Sequence, residues 1–194
     1  MKVTISQLAS DAGLEGPRRY KVDWGRAEAE LGTSLPSDYK EYVYWFGPGS
    51  FEEYLYICIP GVENSVTELG SRLKDEGKLS DFRKKINPDS PRPYSLFPEV
   101  GGWLPWGFTI DGDALYWVTS PGDPNAWTVA ASSRADDLAH FNGGFSQYLY
   151  SYIWNTGEME FFDETDSQIP IPFEASDGKW RGGGERLSEY GYFE

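Results

Sequence analysis

Apolar residues recur at helical spacing near both ends of the chain and alternate with polar ones between them. Ile5 and Leu8 share a helical face before a break over Gly13–Pro17. Trp24, Ala27 and Leu31 fall at i, i+3 and i+7, which predicts a short helix closed by Gly32. Pro36 suits the first position of a second helix because the N–H it lacks would find no partner there, and Asp38 sets a carboxylate near the positive end of that helix. Tyr39, Tyr42, Val43 and Phe46 form its apolar stripe; Gly47 and Pro48 end it. Beyond Gly49 the period changes to two: Leu55, Ile57 and Ile59 alternate with Tyr56 and Cys58, predicting a strand that closes at Pro60-Gly61.

Ser65-Val66-Thr67-Glu68 matches a capping box, and with Leu69 and Leu73 predicts a third helix ending near Gly77. Lys78, Arg83, Lys84, Lys85 and Arg92 follow in a segment whose Pro88, Pro91 and Pro93 read as an exposed irregular connection, a solvated face rather than a partner site. Trp103, Pro105, Trp106, Phe108 and Ile110 then lead into Asp111-Gly112-Asp113, and Leu115–Val118 return. Asp-Gly between apolar runs is a hairpin signal because the turn requires positive φ. Trp127–Ala130 forms another short strand. Asp136 and Asp137 suggest a helical turn, Asn142 an N-cap, and Phe145, Leu149, Tyr152 and Ile153 the face of a last helix ending near Asn155 and Gly157. Helices at both ends with antiparallel strands between them define α+β: one domain over 1–159, helices packed on a mainly antiparallel sheet. Residues 160–194, with nine acids to three bases, read as an acidic C-terminal extension. Its Phe161, Phe162, Ile169, Ile171, Phe173 and Trp180 are apolar enough to dock part of it.

Composition narrows the class. Of 194 residues 39% are hydrophobic and 16% aromatic, enough to bury a core. No run reaches the roughly 18 apolar residues of a membrane span, and the first residues lack the apolar stretch of a signal peptide, so a cytoplasmic protein is expected. The net charge of −14 opposes direct contact with nucleic-acid phosphates; it either keeps the protein soluble or steers a basic partner toward it.

Glu30-Leu31-Gly32, then Leu35-Pro36-x-Asp38-Tyr39-Lys40, then Phe46-Gly47 and a strand ending in Pro60 resemble the start of the SUKH superfamily, Smi/Knr type. The yeast member is a cell-wall assembly regulator. The resemblance runs less distinctly from Trp103 to Gly157. It implies helices on a central sheet and no shared catalysis; many bacterial members are immunity proteins that bind polymorphic toxins, often nucleases. The Leu-Pro-x-Asp-Tyr-Lys residues look like fold determinants, and no binding role is carried over to them.

Chemical motifs add little to that picture. Cys58, the one cysteine, excludes a disulfide framework and reads as a buried hydrophobe. His140, the one histidine, is expected at a helix end or in a loop rather than in a site. Asp111 and Asp113 serve a turn better than a metal; Asp163, Glu164 and Asp166 lack an EF-hand pattern, and Gly182–Gly184 lacks the Lys-Ser/Thr of a phosphate loop. No HExxH, GxSxG or GxGxxG occurs. Trp103, Trp106, Trp117 and Trp127 cluster in the strand region, where core and interface uses outrank sugar stacking. A non-enzymatic protein with no cofactor and no metal is expected, an immunity protein binding a basic toxin domain. The partner-binding candidates are Glu52 and Glu53, expected to open a strand, Asp111 and Asp113 at the hairpin tip, and Trp103 as an anchor. The alternatives are an intracellular scaffold of the cell-wall-regulator type and a carbohydrate-binding module.

Overall fold

The computed structural model describes residues 3–89, 92–156 and 169–179. Expectations for Pro91, Gly157, Phe161, Phe162, Asp163, Glu164, Asp166, Trp180 and Gly182–Gly184 lie outside the described residues. The fold is α+β, with helices on an antiparallel sheet.

The helices are α1 (Ile5–Asp11), α2 (Trp24–Leu31), α3 (Ser37–Phe46), α4 (Leu69–Ile86) and α5 (Phe145–Ile153). The strands are β1 (Gly49–Phe51), β2 (Leu55–Ile57), β3 (Trp103–Thr109), β4 (Ala114–Val118), β5 (Thr128–Ser132), β6 (Leu138–Phe141) and β7 (Phe173–Ala175). They form one sheet in the order β6-β5-β4-β3-β2-β1-β7. From β1 to β6 the sheet neighbours follow chain order, with α4 in the long connection between β2 and β3. β7 returns from the far end of the sequence to pair with β1 in the register Phe51↔Phe173 and Gly49↔Ala175. The boundary expected at 159/160 therefore does not divide the sheet, because part of the expected extension is its edge strand.

Strand alternation sends side chains to two differently covered faces. Leu115 and Trp117 of β4 join Leu104, Trp106, Phe51, Leu55 and Val129 in the main core, under α1, α3 and α5. Tyr39 and Phe145 meet Trp117 and Trp106 there at ring-centroid distances of 5.0 Å, edge to face, a favoured aromatic geometry. On the opposite face Ala114, Tyr116, Trp103 and Ala130 form a smaller cluster with Tyr94 and Leu96. α4 crosses this second face. Glu76, buried on its inner side, accepts from Arg92 Nη1 at 2.7 Å, pairs with Arg72 Nη2 at 3.0 Å and accepts from the Tyr116 hydroxyl at 3.3 Å.

Local chemistry explains several boundaries. Asp23 caps α2 by accepting from the Arg26 N–H at 3.1 Å, and Gly32 ends it in the left-handed region. Pro36 stands at the N-cap of α3 rather than inside it. Asp38 has a further use: its Oδ2 accepts from the Ser146 N–H at 2.9 Å, so a carboxylate on α3 satisfies the first turn of α5. The N-cap of α5 is Gly144 instead of Asn142, and the Gln147 side chain accepts from the Gly144 N–H at 2.9 Å. α4 starts from Glu68, which accepts from the Ser71 N–H at 2.6 Å, not from Ser65. It runs through Gly77 to Ile86, so Lys78–Ile86 is helix and not an irregular connection. Asp136, at positive φ, lies in the turn before β6, and His140 lies in that strand, edge-on to Trp103 at 5.2 Å.

Candidate functional site

Antiparallel pairing brings two hairpin tips to one end of the sheet. Phe51 pairs with Leu55, leaving Glu52, Glu53 and Tyr54 as the tip of the β1–β2 hairpin, with Glu52 and Glu53 at φ of 53° and 50°. These two residues thus form a turn rather than opening a strand. Leu55 pairs with Thr109, which sets that tip beside the β3–β4 turn. In the second turn the Thr109 N–H donates to the Asp113 carbonyl at 3.0 Å, and Gly112 takes the positive φ that Asp-Gly predicts. The tips are bonded to each other: the Ile110 N–H donates to the Tyr54 carbonyl at 3.1 Å, and the Tyr54 hydroxyl to Asp111 Oδ2 at 3.0 Å.

Four of the five candidates thus converge, and their carboxylates differ in what they do. Asp113 accepts from the Thr109 hydroxyl at 3.0 Å and from the Arg134 N–H at 3.3 Å, which makes it a brace between turns. Asp111 holds Tyr54. Burial, reinforced by the hydrogen bond to Asp111, pushes the Tyr54 phenol up to about 12, so it stays a donor at neutral pH. Glu52 and Glu53 are exposed at the tip. Trp103 does not join them: it is 5% exposed and stacked on Tyr94 at 4.0 Å on the second face, so it offers no ring to a partner. Trp106, Trp117 and Trp127 are buried too, so none of these four tryptophans presents an exposed ring face for sugar stacking.

Glu174 was not legible as part of this site. It sits on β7, and its Oε2 accepts from the Glu53 N–H at 2.8 Å, adding a fifth carboxylate beside the tip. Nothing local marks it, because a pairing between residues 51 and 173 has no short-range signal. Next to it opens a cleft of about 390 Å³ whose lining includes Ser50, Glu53, Tyr56, Thr67, Glu174 and the cationic Lys179. Tyr56 forms one wall, stacked on Phe108 at 5.3 Å with the rings 8° from parallel. Its phenol is raised, first by burial and further by the negative charges of Glu53 and Glu174, against the opposing effect of Ser50. Glu53 and Glu174 are set against Lys179 on this lining, so the cleft is of mixed charge.

No cluster of three or more His, Cys, Asp or Glu suited to a metal occurs among the described residues. Cys58 is buried, and burial pushes its thiol up to about 12. Among the described residues no helix is long and apolar enough to cross a membrane. The molecule is an α+β protein with an acidic sheet end. No family model, curated protein or solved structure matches the chain.

Proposed function

We propose that this is a non-enzymatic binding protein acting in the cytoplasm, an immunity protein that neutralises a cognate toxin by covering a basic surface on it. The observation that carries the reading is the meeting of Glu52, Glu53, Asp111, Asp113 and Glu174 at one end of the sheet. Concentrated negative charge of this kind accelerates encounter with a cationic surface such as a nuclease groove, and it fixes orientation more than affinity. Ile110, 60% exposed between the acidic turns, supplies an apolar contact of the sort that sits inside a charged rim. Of the residues that carry the resemblance, Asp38 and Tyr39 serve the fold: Asp38 caps α5, and the Tyr39 hydroxyl donates to the Cys58 carbonyl at 2.5 Å.

The test is affinity capture from the native cell at low and high salt, comparing the natural protein with Glu52→Gln/Glu53→Gln/Glu174→Gln. Recovery of one basic toxin domain, reduced both by salt and by the variant, is the expected result. Capture of a partner indifferent to both would refute the acidic end as the binding surface.

A further inference from the structure

α4 carries the opposite polarity. Over Leu69–Ile86 six bases stand against three acids, in a chain whose net charge is −14. Leu79, Phe82 and Ile86 are 53%, 60% and 66% exposed, and steps of three and four residues place them on one flank of the helix. Lys78 and Lys85 precede Leu79 and Ile86 by one position each and so form a row along one margin of that flank; Lys78 also holds Asp75, one turn before Leu79, at 2.7 Å. Arg83, one position after Phe82, lies on the other margin, where Asp136 holds it. In the language of helix pairing, the apolar residues occupy seam positions and the bases flank them.

This arrangement selects its occupant by charge. A second copy of the chain laid antiparallel across Phe82 would bring Lys78 against Lys85 of its mate on both sides of the axis, a repulsive pairing. A helix with apolar residues at its own seam and Glu or Asp at the flanking positions meets the same row favourably. We infer that the exposed flank of α4 at Leu79, Phe82 and Ile86 is a second interaction surface, which takes an acidic amphipathic helix of another protein. It is independent of the acidic sheet end, and either assignment stands if the other fails.

The probe is a fluorescein-labelled peptide of about three heptads with Leu at the seam and Glu at the flanking positions, beside a counterpart carrying Lys there. Anisotropy titrations use the full chain, Phe82→Ser, and Lys78→Glu/Lys85→Glu, with circular dichroism to verify that each variant folds. The expected result is saturable binding of the Glu peptide at least about tenfold tighter than the Lys peptide. That preference should reverse in Lys78→Glu/Lys85→Glu, and Phe82→Ser should weaken binding by at least about fivefold. Absence of saturable binding, or binding that neither variant changes, overturns the inference. Phe82-dependent binding to phosphatidylcholine vesicles with about 30% phosphatidylserine, without peptide binding, overturns it in favour of a lipid surface. Concentration-dependent self-association abolished by Phe82→Ser overturns it in favour of a second copy.

Discussion

Glu76 is the residue whose loss α4 should feel most. It is 3% exposed and takes Arg72 and Arg92 on its two oxygens, with the Tyr116 hydroxyl sharing the second. Glu76→Gln keeps the shape and removes the charge, leaving two largely buried guanidinium groups without a counter-ion. Breaking one side of a buried pair costs about 3–5 kcal/mol. The Arg72 and Arg92 side chains retain 22% and 13% exposure, so water screens part of that cost and the lower end, about 3 kcal/mol, is expected. For a chain of this size that corresponds to a melting point lowered by about 6–12 °C. Urea unfolding followed by tryptophan fluorescence measures the free energy, and the slope shows whether the compact state has changed. Replacing all three charges, as Arg72→Met/Glu76→Leu/Arg92→Met, removes the desolvation cost together with the attraction and should come out near neutral or better. A loss under about 1 kcal/mol for Glu76→Gln, or a triple variant less stable than the single one, would refute the account of the network as mutually dependent charges.

Three further outcomes follow from individual contacts. Asp38→Ala removes the carboxylate that caps α5 from another helix, and should cost about 0.5–2 kcal/mol in urea unfolding with faster hydrogen exchange at Ser146. Gly49→Ala would set a Cβ against the Glu174 carbonyl and the Phe173 ring, closer than real contacts allow; a loss of about 1–3 kcal/mol with faster exchange at Phe173, Glu174 and Ala175 is expected. Alkaline pH should destabilise the fold. The unfolded thiol ionises near 9.0 and the folded Cys58 only near about 12, so between those values the unfolded chain holds fewer protons and stability falls as pH rises, while below 9.0 the contribution is complete. Burial raises Tyr39, Tyr42, Tyr116 and Tyr148 well above 10.0, which acts in the same direction; the tyrosinate absorbance of these four should therefore appear only with unfolding, and complete ionisation of all thirteen tyrosines in a folded protein would count against the burial.

What the sequence made legible was whatever has a local cause. α2, α3 and the β3–β4 hairpin were bounded by Gly32, Pro36, Gly47 and Gly112, whose backbone preferences act within a few residues. α4 was cut short at Gly77 because the glycine and the bases and prolines after it read as a stop and a connection; Leu79, Phe82 and Ile86 keep helical spacing, but on an exposed flank out of line with Leu69 and Leu73. The strand at His140 was missed because four residues following two aspartates resemble a helix start as much as an edge strand. At the candidate site the two tips could be read, but their adjacency could not, since it depends on the β2–β3 register. Trp103 was misjudged because alternation along a strand does not say which face a second layer will cover; Tyr94 and Leu96 cover it.

The placement of β7 bears on how the protein is made. β1 has one neighbour in β2 and gains the other only when Phe173–Ala175 arrive, long after β1 to β6 have left the ribosome. Until then its outer N–H and C=O groups form an open template, and the Phe51 ring lacks the edge-on packing of Phe173. A chain halted before residue 173 would carry that template permanently, which makes early termination a route to strand-to-strand aggregation. Arg18, bonded to the Phe46 and Pro48 carbonyls at 2.6 Å and to the Ser176 carbonyl at 2.8 Å, then joins the N-terminal segment to the last turn and locks the late strand in place.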